Sequence, residues 1–121
     1  MYERKLKDMA QEVPQLGFGF VFAMPEGLIV DVWALPEREA ALDGLAKALV
    51  ELAIWAQMSN RFLGAQPSML LLDGGMRLCG SEIDERRFLM LGFVAQAPWG
   101  LVRRHTQRMA HNIGSKPSSS P

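Results

Sequence analysis

The sequence predicts an α+β protein: a three-layer α/β/α sandwich around a five-stranded, mainly antiparallel sheet, in the element order α-β-β-α-β-β-β-α. Three observations predict it. Residues 16–24 alternate with a period of two, and both sets of side chains are apolar or small, so this strand must be covered on both faces. A long Ala- and Leu-rich stretch, residues 37–63, contains no proline and reads as helix. Every strand-to-strand connection except the one holding that helix is short enough for a hairpin, which favours antiparallel pairing.

Prolines punctuate the elements: Pro14, Pro25, Pro36, Pro67 and Pro98 fall between stretches of consistent periodicity. Tyr2, Leu6, Met9 and Val13 form one stripe of a short amphipathic helix that Pro14 ends. In the first strand, Leu16, Phe18, Phe20, Phe22 and Met24 point one way and Gly17, Gly19, Val21 and Ala23 the other. Pro25-Glu26-Gly27 is a turn signal, and the β-rich run Leu28 to Leu35 completes a hairpin closed by Pro36. After the long helix, for which Gly64 is a C-terminal signal, come Ser68 to Leu72 and Met76 to Ile83 around the tight-turn signal Asp73-Gly74-Gly75. Arg87 to Ala95 is the fifth strand. Pro98 opens a last helix with the stripe Trp99, Val102, Thr106, Met109 and Ile113. Residues 1–113 therefore read as one domain and 114–121 as a disordered polar tail.

Composition narrows the function classes. Thirteen Lys and Arg balance thirteen Asp and Glu, so no global positive field exists to hold nucleic acid or an anionic membrane. The N-terminal MYERKLKDMAQEVP lacks the apolar core of a signal peptide, which points to the cytoplasm. No membrane insertion is expected, because Lys47 and Glu51 interrupt the most apolar run.

A catalytic or cofactor site is not legible. His105 and His111 lie six residues apart on a helix and cannot share a metal as an i, i+4 pair would. Cys79 is the single cysteine and reads as a buried structural thiol. Gly17-Phe18-Gly19 opens like a dinucleotide fingerprint, but Phe22 occupies the third glycine position and the segment is itself a strand. Neither a Walker A motif nor a G-x-S-x-G elbow is present. Glu82, Asp84 and Glu85 cluster at a turn, where solvation accounts for them. Asp31 interrupts LIVDVW and reads either as an arginine partner or as a solvated edge residue.

The most informative segment is the long helix. At about 100° per residue, Leu42, Leu45, Leu49, Leu52, Ala56 and Leu63 fall in one arc suited to a sheet. Ala41, Ala48, Trp55 and Phe62 recur every seven residues on an adjoining arc. A helix with that much apolar circumference is usually buried on two sides: a loop or the tail could cover the excess, or part of it could stay exposed, but the favoured reading is a second copy packed helix on helix. Ala41 and Ala48 would allow close approach, with Trp55 and Phe62 as anchors. Met69 and Leu71, in a short uncharged strand that would be a hazard at a bare edge, are expected to join the interface.

Charge is uneven along the chain. Residues 26–51 carry Glu26, Asp31, Glu37, Glu39, Asp43 and Glu51 against Arg38 and Lys47, whereas residues 98–121 carry Arg103, Arg104, Arg108 and Lys116 with no acid. Arg104, Arg108 and His111 share one side of the last helix, a solvated face or a docking surface for an acidic partner.

The turn at Glu26-Gly27 leading into LIVDVW, the Ala/Leu-rich central helix, LLLDGGMRLCG and LMLGFVAQAPWGLVRRHTQRM together resemble the prokaryotic Roadblock family, relatives of the dynein light chain of that name. The resemblance covers most of residues 2–113. It implies a homodimer built through the central helix and third strand, without nucleotide site, cofactor or catalytic residues, acting as a platform that binds and regulates a small Ras-like GTPase in polarity, motility or signalling. The short first helix and Trp55 in the central helix depart from the family pattern. A small-molecule sensor module of similar sheet architecture is the alternative, with Phe18, Phe20 and Phe22 standing where its ligand would sit.

Overall fold

A computed structural model of the chain describes residues 6–13, 15–63, 68–71 and 76–114, with the backbone alone for 59–63 and 68–71. The elements are α1 (Leu6–Ala10), β1 (Leu16–Ala23), β2 (Leu28–Ala34), a 3-10 helix (Pro36–Ala41), α2 (Leu42–Leu63), β3 (Ser68–Leu71), β4 (Arg77–Asp84), β5 (Arg87–Phe93) and α3 (Trp99–Gly114). The strands form one sheet in the order β2-β1-β5-β4-β3, and every neighbouring pair is antiparallel. The expected antiparallel α+β architecture is therefore present. Tyr2, Pro14, Gly64, Pro67, the Asp73-Gly74-Gly75 turn and the tail from Ser115 onward lie outside the described residues.

The two strands that are apolar on both faces, β1 and β5, lie side by side in the middle of the sheet, where both faces are covered. Below the sheet, α1 and α3 close a core of Leu6, Met9, Val21, Leu89, Leu91, Val102, Met109 and Ile113. Above it, α2 closes a second core of Phe18, Phe20, Phe22, Leu49, Ala53, Ala56, Leu78, Phe88 and Met90. The phenylalanine layer is densely filled. Phe20 and Phe22 stack with centroids 5.4 Å apart, and Phe18 meets Phe20 edge-on at 6.0 Å. Gly92 makes room for this layer, because a Cβ there would run into the Phe18 ring.

Two local expectations need correction. The stretch 37–63 is not one α-helix: its first turn, Pro36–Ala41, is 3-10, with Pro36 in its opening turn and no side-chain cap at Leu35. The stripe that α2 presents to the sheet is also rotated. Leu49, Ala53, Ala56 and Gln57 are buried, whereas Leu45 and Leu52 are only half-buried, a turn of about 50° from the expected arc. The phenylalanines explain this, since large rings on the sheet require small residues such as Ala53 and Ala56 opposite them. Gln57 tolerates burial by donating an Nε2 hydrogen bond to the Glu85 carbonyl at 3.4 Å, at the turn between β4 and β5.

Asp31 lies on the edge strand β2, as one of its two readings had it, but it is half-buried and its carboxylate accepts backbone donors. Its Oδ2 accepts the backbone N–H of Leu6, the first described residue of α1, at 2.9 Å. Its Oδ1 accepts the N–H of Val32 at 2.9 Å. α1 is thereby fastened across β2, whose Trp33 packs against the lower core.

Candidate interaction surfaces

With both cores closed, the apolar groups left over mark the surfaces that can meet a partner. The first is the outer face of α2. Trp55 is 66% exposed and Met58 56% exposed, and Ala48 lies open beside them. Ala41 is also exposed but sits on the 3-10 turn, so the seven-residue repeat begins one element earlier than a single helix would place it. Phe62 is on the last turn of α2, and Met69 and Leu71 are on β3. The side chains of these three lie outside the described residues. β3 is the outermost strand of the sheet, pairing Met69 with Cys79 and Leu71 with Arg77 of β4, so the expected edge position is observed.

The second surface was not foreseen. β2 is the opposite edge, and Leu28, Ile29, Val30 and Val32 are all largely exposed, Leu28 by 65%. α2 packs mainly over β5 and β4; at the β2 end Ala34 packs against the upper core, while Ile29 and Val32 stay exposed. Two signals in the sequence bear on this. Leu28-Ile29-Val30 is a run of three apolar residues that a period of two cannot hide on one face, and one helix about 10 Å wide spans only about two strands spaced near 4.8 Å.

The third surface is the basic side of α3. Arg104, Arg108 and His111 are exposed there, as the charge pattern predicted. Between them His105 stacks on Phe93 with centroids 6.4 Å apart. Burial holds the His105 imidazole below its ordinary value of 6.5, and the positive charges of Arg108 and Arg104 push in the same direction. At the start of the helix, the Arg77 guanidinium lies 4.8 Å from the Trp99 ring centroid while its Nε donates to the Ala95 carbonyl at 3.2 Å. This joins the end of β5 to α3.

Nothing among the described residues assembles a reaction centre. Cys79 is fully buried in the lower core, and desolvation raises its thiol above the ordinary range despite a hydrogen bond with Thr106 and the charge of Arg103. Asp84 loses some charge stability to burial, but the Arg86 N–H and the Arg87 guanidinium more than offset it, and its pKa is lowered. Arg87 reaches Asp84 Oδ2 through Nη2 at 2.9 Å, a contact internal to the hairpin. No group of three metal-ligating side chains is found among the described residues, nor is any described helix long and apolar enough to cross a membrane.

Comparison with known proteins gives the same architecture. No protein-family model matches the sequence, and no curated protein does. Solved structures do match. The chain is similar to the gliding protein MglB of Thermus thermophilus, with a TM-score of 0.70 and 22% identity over 90% of this chain and 82% of that one. It is also similar to the Roadblock/LC7 domain from Streptomyces avermitilis, with a TM-score of 0.66 and 16% identity over 86% of this chain and 87% of that one. The chain has the Roadblock/LC7 fold. A further Roadblock-like neighbour is an MglB described with a tetrameric arrangement, with a TM-score of 0.69 and 23% identity over 90% of this chain and 82% of that one.

Proposed function

We propose that two copies of this chain pair through the outer face of α2 and the β3 edge, and that the dimer is a non-catalytic platform that binds and regulates a small Ras-like GTPase. The observation that carries this reading is Trp55. A tryptophan 66% exposed beside Met58 and Ala48, on a helix whose inner side is already filled, is the kind of residue that anchors an interface. The half-buried Leu45 and Leu52 widen the same face, because the rotation of α2 turns them outward. A two-fold pair needs one self-complementary patch, and a helix packed against its symmetry mate supplies one. The MglB neighbour with a tetrameric arrangement supports self-association.

Regulation of a GTPase is supported by the Roadblock resemblance. A rigid dimer surface would favour one arrangement of the GTPase switch loops and place that enzyme's own groups around the γ-phosphate. Arg104, Arg108 and His111 form the docking face proposed for an acidic region of the partner. The experiment is GTP turnover and nucleotide exchange by the candidate GTPase with and without this protein, together with co-elution. A change in either rate, lost on Trp55→Glu, is expected. Unchanged rates with no co-elution would dispose of the reading.

The sensor alternative gains nothing from the upper core. Phe18, Phe20 and Phe22 are buried and packed ring on ring where a ligand between sheet and helix would lie.

A further inference from the structure

β2 is an edge strand with the composition of an interior one. Leu28 and Ile29 pair with Ala23 and Phe22 of β1 and so face opposite sides of the sheet, yet Leu28, Ile29, Val30 and Val32 are all exposed. The outer rim of such a strand presents N–H and C=O groups on which another chain can add a strand. The hazard is doubled in this sheet, because β3 is its other edge. Copies that paired through both edges would join sheet to sheet without end.

The hydrogen bonds show what occupies the rim. The Leu35 N–H donates to the Gly17 carbonyl at 3.0 Å, which makes Gly17 and Leu35 a hydrogen-bonded pair. Such pairs alternate along an antiparallel ladder. With Phe18 opposite Ala34 and Phe20 opposite Val32, the backbone groups of Trp33 and Asp31 turn toward β1, and those of Ala34 and Val32 turn outward. The register shift at Val30 interrupts the strand, so residues 31–34 are the regular part of the rim. Of the two outward donors in that part, the Val32 N–H is already held by Asp31 Oδ1 at 2.9 Å.

The carboxylate that holds it is itself fixed. Asp31 Oδ2 accepts the Leu6 N–H of α1 at 2.9 Å, so one side chain anchors α1 and covers the Val32 donor with negative charge. An incoming strand would have to bring a carbonyl oxygen to that N–H against a carboxylate, and displacing the carboxylate would release α1. We propose that Asp31 shuts the β2 rim against strand addition, and that without its carboxylate β2 pairs with β2 of a second copy. The inference does not rest on the α2 dimer, because β2 and β3 are opposite edges and the effect is read relative to the wild-type mass, whatever that mass is.

The test is light scattering on the full chain at tens of micromolar, with amide hydrogen exchange on the same samples. Asp31→Ala is expected to have at least about twice the wild-type mass, with the amides of residues 28–34 exchanging more slowly in the larger species. Because the same substitution releases α1, two double variants separate the causes. Asp31→Ala with Val32→Pro removes the outward N–H and leaves the ladder to β1 intact. Asp31→Ala with Val32→Lys adds like charges that oppose any pairing of β2 with β2. In both, α1 still lacks its anchor, yet each is expected to return to the wild-type mass with unchanged circular dichroism. Asp31→Ala at the wild-type mass would overturn the proposal. So would a larger species that persists in either folded double variant, or one whose slowed amides lie outside β2.

Discussion

The two faces of the sheet are closed by different amounts of helix, and Ile29, Val32, Trp55 and Met58 are left exposed on the side that α2 closes. Below, α1 and α3 share the work: α3 covers β4 and β5, α1 covers β2 and β1, and the Asp31–Leu6 hydrogen bond holds α1 in place. Above, α2 works alone. It covers the centre, leaves Ile29 and Val32 of β2 exposed, and carries Trp55 and Met58 outward on its back. The difference shows where apolar surface is left over. The layer closed by a single helix is the one that keeps Trp55 and Met58 exposed, whereas the two-helix layer exposes the basic side of α3.

The sharpest way to break that comparison is to set the filled side of the upper layer against its open side. Phe20→Ala should cost about 3–5 kcal/mol, because the ring is fully buried among the other phenylalanines and the hole cannot collapse. Urea unfolding with an unchanged m-value would measure it. A cost below about 1 kcal/mol would mean that the upper core is loosely packed. By contrast Trp55→Glu, on the open back of α2, should change monomer stability by no more than about 0.5 kcal/mol.

A smaller effect tests how the lower layer is fastened. Asp31→Ala removes the acceptor for the Leu6 N–H and should cost about 1 kcal/mol, as loss of such a hydrogen bond does. Faster hydrogen exchange confined to α1 and its contacts is the expected signature. Cys79 gives a kinetic version of the same comparison: buried and with its thiol pKa raised, it should react with a maleimide far more slowly in the native protein than in urea. Native labelling at the unfolded rate would contradict a closed lower core.

The smallest effect is a pH dependence at His105. Its folded pKa lies below 6.5, so its contribution to stability is fully present above 6.5 and falls as the pH drops through that value, until the folded imidazole protonates as well. An NMR titration should place its midpoint below 6.5, and Arg108→Gln should move it upward. A midpoint above 6.5 would mean that neither burial nor the arginines govern it.

Much of the architecture was legible because periodicity is a local signal. The double apolar face of LGFGFVFA put β1 in the sheet interior, and the spacing of Val102, Thr106, Met109 and Ile113 gave the buried side of α3. The rotation of α2 was not legible, since it depends on which side chains oppose it across the sheet, and a helical wheel knows nothing of Phe18, Phe20 and Phe22. The role of Asp31 was hidden for the same reason. Its partner is a backbone N–H twenty-five residues away, which has no residue signature. The β2 strip could have been found from Leu28-Ile29-Val30 had helix width been weighed against strand count.

The most direct test of the central claim is the mass of the protein in solution, by light scattering at tens of micromolar, for wild type and Trp55→Glu. The account predicts twice 13.5 kDa for wild type and 13.5 kDa for the variant, with the same circular dichroism. A wild-type monomer, or a Trp55→Glu dimer as tight as wild type, would contradict it.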